Sequence, residues 1–261
     1  MGPIDPSRID ACLRLSQDAG WNQLAEDWRI FLDHGVVLGI DDDAGTLIAT
    51  GAVLPYDGFA WISMVLVDGT RRRQGLGTRI LEGCLAETTR LGLVPLLDAT
   101  EAGEPLYRGL GFGPLFRLSR WIGQGGAGNR LRPAEDGDLA LDMPVFGSPR
   151  PFVLDGLKAR APRIAGGGGG FVLGRPGRTA TQIGPVVAED EGAAAALIEH
   201  GLAGAEGPVL IDLVDGRPNL EKLLTDRGFT VQRRFLRMAR GRDIPYGDPS
   251  RLFAAAGPEL G

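Results

Sequence analysis

Cysteine and histidine are scarce in this 261-residue chain, which contains two residues of each. Cys12 and Cys84 stand in no spacing typical of a metal site, and two cysteines make no disulfide framework. His34 and His200 form no H-x-x-x-H pair. We therefore expect two reduced thiols in a cytoplasmic protein and no metal centre.

Long hydrophobic runs and an excess of positive charge are also missing. No apolar stretch is long enough to span a bilayer, and the first residues lack a basic region followed by a hydrophobic one. The net charge of −5 argues against a dedicated nucleic-acid binder, although residues 71–73 are three consecutive arginines. From these absences we expect that neither a membrane nor a nucleic acid is a partner of this protein.

The hydrophobic pattern predicts short helices alternating with short strands, which is the pattern of an α/β (α+β) fold. We expect helices over 4–18, 24–32, 78–91 and 105–110, strands over 36–40, 46–54, 59–67 and 94–97, and a strand pair over 112–121. Residues 1–6 carry little strand signal, so no strand is expected before the first helix.

One segment, residues 65–78, reads as a strand, an Arg/Gly-rich turn and a helix that begins near Gly75. Unpaired N–H groups at such a helix start, together with the helix dipole, suit a bound phosphate, and glycine lets the backbone approach it. The sequence has no G-x-x-x-x-G-K-[ST] and no G-x-G-x-x-G, which disfavours a P-loop and a dinucleotide site. A solvated basic turn is the alternative reading.

The pattern Arg72-x-x-Gly75-x-Gly77 resembles the pyrophosphate loop of the GNAT acyl-CoA N-acyltransferases, and Tyr107-x-x-x-Gly111-Phe112 resembles that family's Y-x-x-x-G-F ending. The resemblance covers about residues 7–121 and implies acetyl-CoA, or another acyl-CoA, as cofactor. It implies a pyrophosphate held by Arg72 and by the backbone N–H groups of Arg73, Gln74, Gly75, Leu76, Gly77 and Thr78.

The resemblance also assigns the reactive end of the cofactor. Val65, Leu66 and Val67 are expected to pair with the pantetheine arm, and a backbone N–H near Leu66 to polarise the thioester carbonyl, an effect worth about 3 kcal/mol in a dry site. Tyr107 stands at the family's general-acid position, with a packing tyrosine as the alternative. Thr100 stands where the family often has an asparagine that contacts the cofactor.

The acceptor side is less defined by sequence. Trp21 and Asn22 follow Gly20 in the connection between the first two helices, which in the family forms one wall of the acceptor pocket; Asn22 as a helix N-cap is the plainer reading. Trp28 fits the apolar face of its helix. Three carboxylates are candidate general bases, and a base acting through ordered water is the alternative: Asp98, Glu101 and Asp57.

The second half of the chain repeats the first in outline. Gly111-Phe112-x4-Arg117-x2-Arg120 recurs as Gly228-Phe229-x4-Arg234-x2-Arg237, and two strand-like segments match in the same order. Four glycines within residues 123–129 read as a linker. We therefore predict a GNAT acyl-CoA-binding catalytic domain over 1–122, a linker over 123–130 and a degenerate GNAT-like domain over 131–261, each a mixed, mostly antiparallel sheet flanked by helices.

The second copy departs from the first at the positions that carry chemistry. Acidic residues replace the arginines and glycines before its helix, and they would repel a pyrophosphate. Counting back from Gly228-Phe229 places Leu224, which cannot donate a proton, where the first copy has Tyr107. The second copy is thus expected to cover the acceptor pocket, to stabilise the first or to mediate a homodimer.

Three functions are compatible with these features. The first is an N-acyltransferase, expected to transfer an acetyl group, that acts on a small-molecule amine. The Gly-Trp-Asn and Asp-Trp arrangement at residues 20–22 and 27–28 also resembles a group of bacterial tandem-GNAT proteins, and that resemblance implies no definite substrate. The second is an acyl-CoA or metabolite sensor without turnover. The third, a nucleic-acid-associated protein that uses the arginines at 71–73, is opposed by the acidic net charge.

Overall fold

The computed structural model describes residues 1–126, 135–161, 163–167, 169–203 and 205–261. Its strands form a single mixed sheet flanked by helices, and all neighbouring strands are antiparallel except β4–β5 and β9–β10. The α/β (α+β) fold class expected from the sequence is confirmed.

The first half contains four helices and six strands. The helices are α1 (Ile9–Asp18), α2 (Ala25–His34), α3 (Leu76–Leu91) and α4 (Glu104–Gly109). The strands are β1 (Gly2–Pro3), β2 (Val36–Asp41), β3 (Leu47–Pro55), β4 (Phe59–Val67), β5 (Val94–Thr100) and β6 (Phe112–Gln124). Short 3-10 turns at Pro6–Arg8 and Gly69–Arg71 precede α1 and α3.

The second half repeats this order after three short helices. The helices are α5 (Asp136–Leu139), α6 (Asp142–Phe146), α7 (Pro151–Lys158), α8 (Glu191–Leu202) and α9 (Pro218–Asp226). The strands are β7 (Arg163–Gly167), β8 (Gly170–Arg175), β9 (Thr181–Val187), β10 (Pro208–Val214), β11 (Thr230–Arg240) and β12 (Leu252–Ala254). Thus β7 to β11 follow one another as β2 to β6 do, with α8 and α9 at the places of α3 and α4.

Two expectations for the first half are wrong. Gly2 and Pro3 pair with Gly39 and Leu38, so a short strand does precede the first helix. Residues 112–121 are not a strand pair but lie in one continuous strand, because the partners of β6 come from the second half of the chain. Gly123 and Gln124 continue that strand, and residues 127–130 of the expected linker lie outside the described residues, so the domain bounds stay a prediction.

The two halves exchange their last strands. The sheet order is β1-β2-β3-β4-β5-β11-β6-β10-β12-β9-β8-β7, so β11 lies beside β5 and β6 lies beside β10. Leu118 and Phe235, which follow Phe112 and Phe229 by the same number of residues, face each other across β6 and β11. The exchange is therefore centred on a local pseudo-twofold axis.

Two buried ion pairs hold the exchanged strands. Arg237 on β11 donates from Nε and Nη2 to the Asp98 carboxylate on β5, at 2.8 and 2.9 Å. Arg120 on β6 donates through the same two nitrogens to Asp212 on β10, at 2.7 and 2.8 Å. The last arginine of each repeated GF-x4-R-x2-R segment thus pairs with the other repeat, in the bidentate geometry that guanidinium and carboxylate favour.

The core is also shared between the halves. One buried cluster joins Trp28 and Phe59 with Phe146 and Phe171. The indole nitrogen of Trp28 donates to Ser16 Oγ at 3.1 Å, which satisfies its polar atom inside the core. The core position expected for Trp28 is confirmed.

Candidate functional site

A cleft opens where β4 and β5 part. The two strands pair in parallel only through Phe59–Trp61 and Val94–Leu96, and their pairing then stops. Met64 has a φ of 52°, and the register between β3 and β4 shifts beside it. Thr50 Oγ1 donates to the Met64 carbonyl at 2.9 Å and holds this bulge. The bulge turns the end of β4 away from β5 and brings Val65 to the wall of the cleft.

The turn after β4 presents a row of free backbone donors. Arg73 and Gly75 have φ values of 60° and 75°, and Gly75 is the N-cap of the 16-residue helix α3. Within the described residues, the N–H groups from Arg72 to Thr78 donate to no protein acceptor, whereas Arg79 N donates to Gly75 O at 3.0 Å. These donors lie on the positive end of the helix dipole and can hold an anion.

The side chains of this turn leave its cationic groups available. Arg72, Arg73 and Gln74 are exposed, and neither arginine forms an ion pair with a described residue. Arg71, by contrast, contacts Asp42 at 3.4 Å. An ideal Cβ on Gly77 meets only Val67 Cγ2, at 3.7 Å. The turn is therefore open on the side from which a phosphate approaches.

Tyr107 lies on α4 and lines the cleft. Burial raises the pKa of its phenol to about 12, so the hydroxyl keeps its proton at neutral pH. Its ring meets the edge of Phe112 at 5.9 Å between centroids. Thr100 also lines the cleft, and its Oγ1 accepts from Gly103 N at 3.2 Å in the turn that starts α4. A protonated phenol at this place can donate a proton into the cleft.

The cleft widens into a cavity of about 150 Å³ built by both halves of the chain. From the second half come β11 and the segment after β12. The sequence offers a cover over the acceptor pocket as one role of the second half, but it does not identify the residues that line the site. The lining residues are Trp21, Gln23, Ile62, Ser63, Met64, Val65, Leu97, Asp98, Thr100, Tyr107, Arg120, Arg233, Phe235, Pro258 and Glu259. Of the residues missed, only Arg120 carried a sequence signal, through the repeated arginine spacing.

Trp21 and Asn22, the two residues expected in the wall of the acceptor pocket, have different surroundings in the structure. Trp21 lines the cavity. Asn22 is not among its lining residues, and the N-cap of α2 is Leu24. Asn22 Oδ1 instead accepts from the N–H groups of Thr179 and Ala180 at 2.8 and 3.0 Å, and its amide donates to Ala180 O. Asn22 thus joins the first half of the chain to the second.

The three candidate bases are placed differently from one another. Asp98 lines the cavity, but both its carboxylate oxygens accept hydrogen bonds from Arg237. Burial raises the pKa of the Asp98 carboxyl, and the Arg237 guanidinium opposes that rise. Glu101 and Asp57 are exposed and lie outside the cavity lining, and Asp57 N donates to Ser148 Oγ at 3.0 Å. No free carboxylate among these three faces the cavity.

In the described residues of the second copy, the corresponding place is closed. Asp190 caps α8 and accepts from Ala193 N at 2.8 Å, so a carboxylate holds the helix start. Leu224, at the position equivalent to Tyr107, is fully buried. Where β9 and β10 part, β12 fills the gap and pairs with both, through Ala254 with Val186 and Leu213. The chain itself occupies the cleft that is open in the first copy.

The described residues contain no cluster of three or more histidine, cysteine, aspartate or glutamate side chains arranged to hold a metal ion. None of their helices combines the length and apolar character that crossing a bilayer needs. Cys12 and Cys84 are buried free thiols.

Two family models match the chain, one to each half. Residues 9–112 match an acetyltransferase (GNAT) family model, and residues 139–254 match an acetyltransferase (GNAT) domain model. A Bacillus subtilis protein named as an uncharacterized N-acetyltransferase, YitH, is 26% identical over 243 residues, which cover 87% of this chain and 86% of that protein.

Solved structures agree in fold over most of the chain. A structure from Pyrococcus horikoshii, assigned as an acetyltransferase, superposes with a TM-score of 0.82 at 19% identity and covers 99% of this chain and 94% of that one. A GCN5-related N-acetyltransferase from Sphaerobacter thermophilus gives a TM-score of 0.63 at 17% identity, over 93% and 96% of the two chains. The chain belongs to the GNAT acetyltransferase family, carries two of its domains in tandem and is an acyltransferase.

Proposed function

We propose that the protein transfers an acetyl group from acetyl-CoA to a small-molecule amine, and that only its first half binds the cofactor. The row of free N–H groups from Arg72 to Thr78 is the observation that carries this proposal. GNAT acetyltransferases use acyl-CoA, and a pyrophosphate matches both the donors and the dipole of α3. When bound, acyl-CoA supplies the activated thioester.

The remaining cofactor contacts follow the course of the cleft. Val65, Leu66 and Val67 lie beyond the bulge, where β4 still pairs with β3 but no longer with β5, so the open edge of β4 faces a gap that an extended pantetheine arm fits. A backbone N–H near Leu66, on this open edge, is the proposed donor to the thioester carbonyl. Thr100, whose hydroxyl proton is left to donate, lies across the cleft.

Tyr107 is the proposed general acid. Its phenol is protonated at neutral pH, lines the cleft and has no hydrogen bond to a described residue. A leaving thiolate needs one proton, and general acid catalysis typically contributes 10²- to 10⁴-fold. The small cavity, with Trp21 in its wall, suits a small acceptor; Asn22, which holds the second half of the chain, is assigned a positioning role.

The plugged second cleft supports a single cofactor per chain. β12 and the Asp190 carboxylate stand where the first copy has its gap and its free donors. Titration calorimetry with acetyl-CoA tests this directly, with an expected stoichiometry of one per chain. No binding at high micromolar acetyl-CoA, or a stoichiometry of two, would contradict the proposal.

Turnover is tested separately, because a sensor would also bind acyl-CoA. Thiol release from acetyl-CoA, measured over a panel of primary amines, is expected to exceed the rate without amine. Tight acetyl-CoA binding with no amine-dependent thiol release would favour the sensor. The protonated Tyr107 in the cleft is what favours an enzyme over that alternative.

A further inference from the structure

Three buried side chains in the cavity wall have an oxygen without a hydrogen-bond partner in the described part of the chain. These are Gln23 Oε1, Ser63 Oγ and Glu259 Oε2. The three residues are only 6%, 9% and 5% exposed. An unsatisfied buried polar group costs about 1–3 kcal/mol, and native proteins keep few of them. Three in the wall of one cavity point to a ligand that supplies the missing partners.

The chemistry of these oxygens selects the ligand. The Gln23 carbonyl oxygen and an ionised Glu259 carboxylate only accept hydrogen bonds, and the Ser63 hydroxyl can accept one as well. The ligand must therefore bring donors. A primary ammonium group carries three N–H donors and a positive charge, which matches three acceptors of which one is anionic.

We propose that the acceptor is a primary amine whose ammonium group is bound by Glu259, Gln23 and Ser63, and that Glu259 removes its proton. This rests on the proposed acetyl transfer and adds to it the acceptor class and the general base. Glu259 comes from the segment after β12, so the second half of the chain supplies a catalytic group to the cofactor site of the first.

The segment that carries Glu259 is firmly held. Arg175 donates to Glu259 Oε1 at 3.0 Å and to Ala256 O at 2.7 Å. The indole nitrogen of Trp61 on β4 donates to Pro258 O at 3.0 Å. Glu259 therefore has one oxygen fixed by a guanidinium, while Oε2 stays without a partner.

The charges around Glu259 come from three elements. Burial raises the pKa of the Glu259 carboxyl; Arg175 on β8 and Arg120 on β6 lower it, and Asp27 on α2 raises it. The net direction is upward. A carboxylate with a raised pKa is a stronger base than an exposed one, which suits the removal of a proton from an ammonium group.

The proposed step balances in atoms and charge. Glu259 takes one proton from the ammonium group, and the nitrogen lone pair then forms the C–N bond at the thioester carbon as the C–S bond breaks. Tyr107 gives its proton to the departing sulfur and recovers one from the nitrogen. The products are the amide, the free thiol and a protonated Glu259, which returns its proton to water.

The test replaces the carboxylate by an amide of the same shape, Glu259→Gln. With benzylamine as the acceptor probe, we expect kcat/KM to fall about 100-fold or more and the acid limb of the pH–rate profile to disappear. The Kd for acetyl-CoA should stay unchanged. The matched control is Glu206→Gln, an exposed glutamate before β10, which should keep wild-type kinetics.

A second variant guards against misfolding, because Glu259 is in a buried ion pair. Ser63→Ala removes a hydroxyl that has no partner in the described residues, so the fold should keep its stability. It should raise KM for benzylamine about fivefold or more and leave acetyl-CoA affinity intact. An unchanged KM in Ser63→Ala, or an unchanged acid limb in a folded Glu259→Gln, overturns the inference.

The outcomes separate this inference from the proposed function. If the wild type fails to bind acetyl-CoA, the proposed function fails. If it binds acetyl-CoA and releases thiol with benzylamine, while both variants behave as the wild type, only the assignment of the ammonium site fails.

Discussion

The substitution Gly77→Glu is expected to separate stability from cofactor binding. Gly77 is the second residue of α3, within the row of free N–H donors. Its Cβ would meet Val67 Cγ2 at 3.7 Å, an ordinary contact, so the substitution fits the fold. A carboxylate in the first turn of a helix stabilises it by about 0.3–1 kcal/mol, and replacing a helical glycine adds up to about 1 kcal/mol. The free energy of unfolding should therefore stay equal or rise.

Binding should change in the opposite direction. A carboxylate about 5 Å from a phosphate charge is repelled by about 3 kcal/mol at an effective dielectric constant of about 20. Because Gly77 is only half-buried, salt screens part of this repulsion. A remaining effect of about 2 kcal/mol raises the Kd for acetyl-CoA about 30-fold. Titration calorimetry gives the Kd, and urea denaturation gives the free energy of unfolding.

Two control variants complete the design. Gly77→Gln adds the same bulk without the charge and should keep most of the affinity. Gly192→Glu places the same charge at the second residue of α8, where the helix start is already held by Asp190, and should leave binding unchanged. Wild-type affinity in Gly77→Glu, or an equal loss in Gly192→Glu, would refute the assignment of the phosphate to the first copy.

Three further predictions follow from buried groups. Tyr107→Phe should lower kcat about 100-fold with an unchanged Kd for acetyl-CoA in calorimetry; an equal loss of both would indicate a structural role. Asp212→Asn leaves Arg120 without its buried anion and should lower the free energy of unfolding by about 3–5 kcal/mol in urea denaturation. Burial raises the pKa of Cys12 to about 11 and of Cys84 to about 12, from 9.0. Because the unfolded thiols ionise first, unfolding free energy should fall as pH rises above 9; a flat profile from pH 8 to 10 in denaturation would contradict this.

Local patterns predicted most elements of the first half, with β1 and the single strand β6 as the exceptions, because each pattern reports on the residues that form it. The strand expected over 59–67 and the Gly75 helix start both reappear in the structure, the latter as a glycine N-cap with positive φ. Leu224, at the position equivalent to Tyr107, is fully buried.

Such local patterns do not predict which strands pair with one another in the sheet. Asp98 and Asp212 are equivalent in the repeat, and so are Arg120 and Arg237. A pairing within each repeat and a pairing across repeats therefore place the same residue types together, and sequence does not distinguish them. In the structure the arginines pair across the repeats, Arg120 with Asp212 and Arg237 with Asp98.

The cavity wall was unpredictable for a related reason. Glu259 follows the last strand and stands far from Tyr107 in the chain, and no local signal connects the two. The route of the segment after β12 depends on tertiary contacts, such as the one from Trp61 to Pro258 O. Only the assembled fold brings that carboxylate to the first copy.

The gap between β4 and β5 has one more consequence when it is compared with its closed counterpart. In the second copy Ala254 bridges the parted strands β9 and β10 by backbone pairing. The first copy leaves the same place open, so a ligand with amide groups along an extended arm would enter it by β-augmentation. The extended arm of the ligand would then act as a thirteenth strand of the sheet. In the second cleft the added strand, β12, is part of the chain, whereas in the first cleft a new ligand would supply it at every turnover.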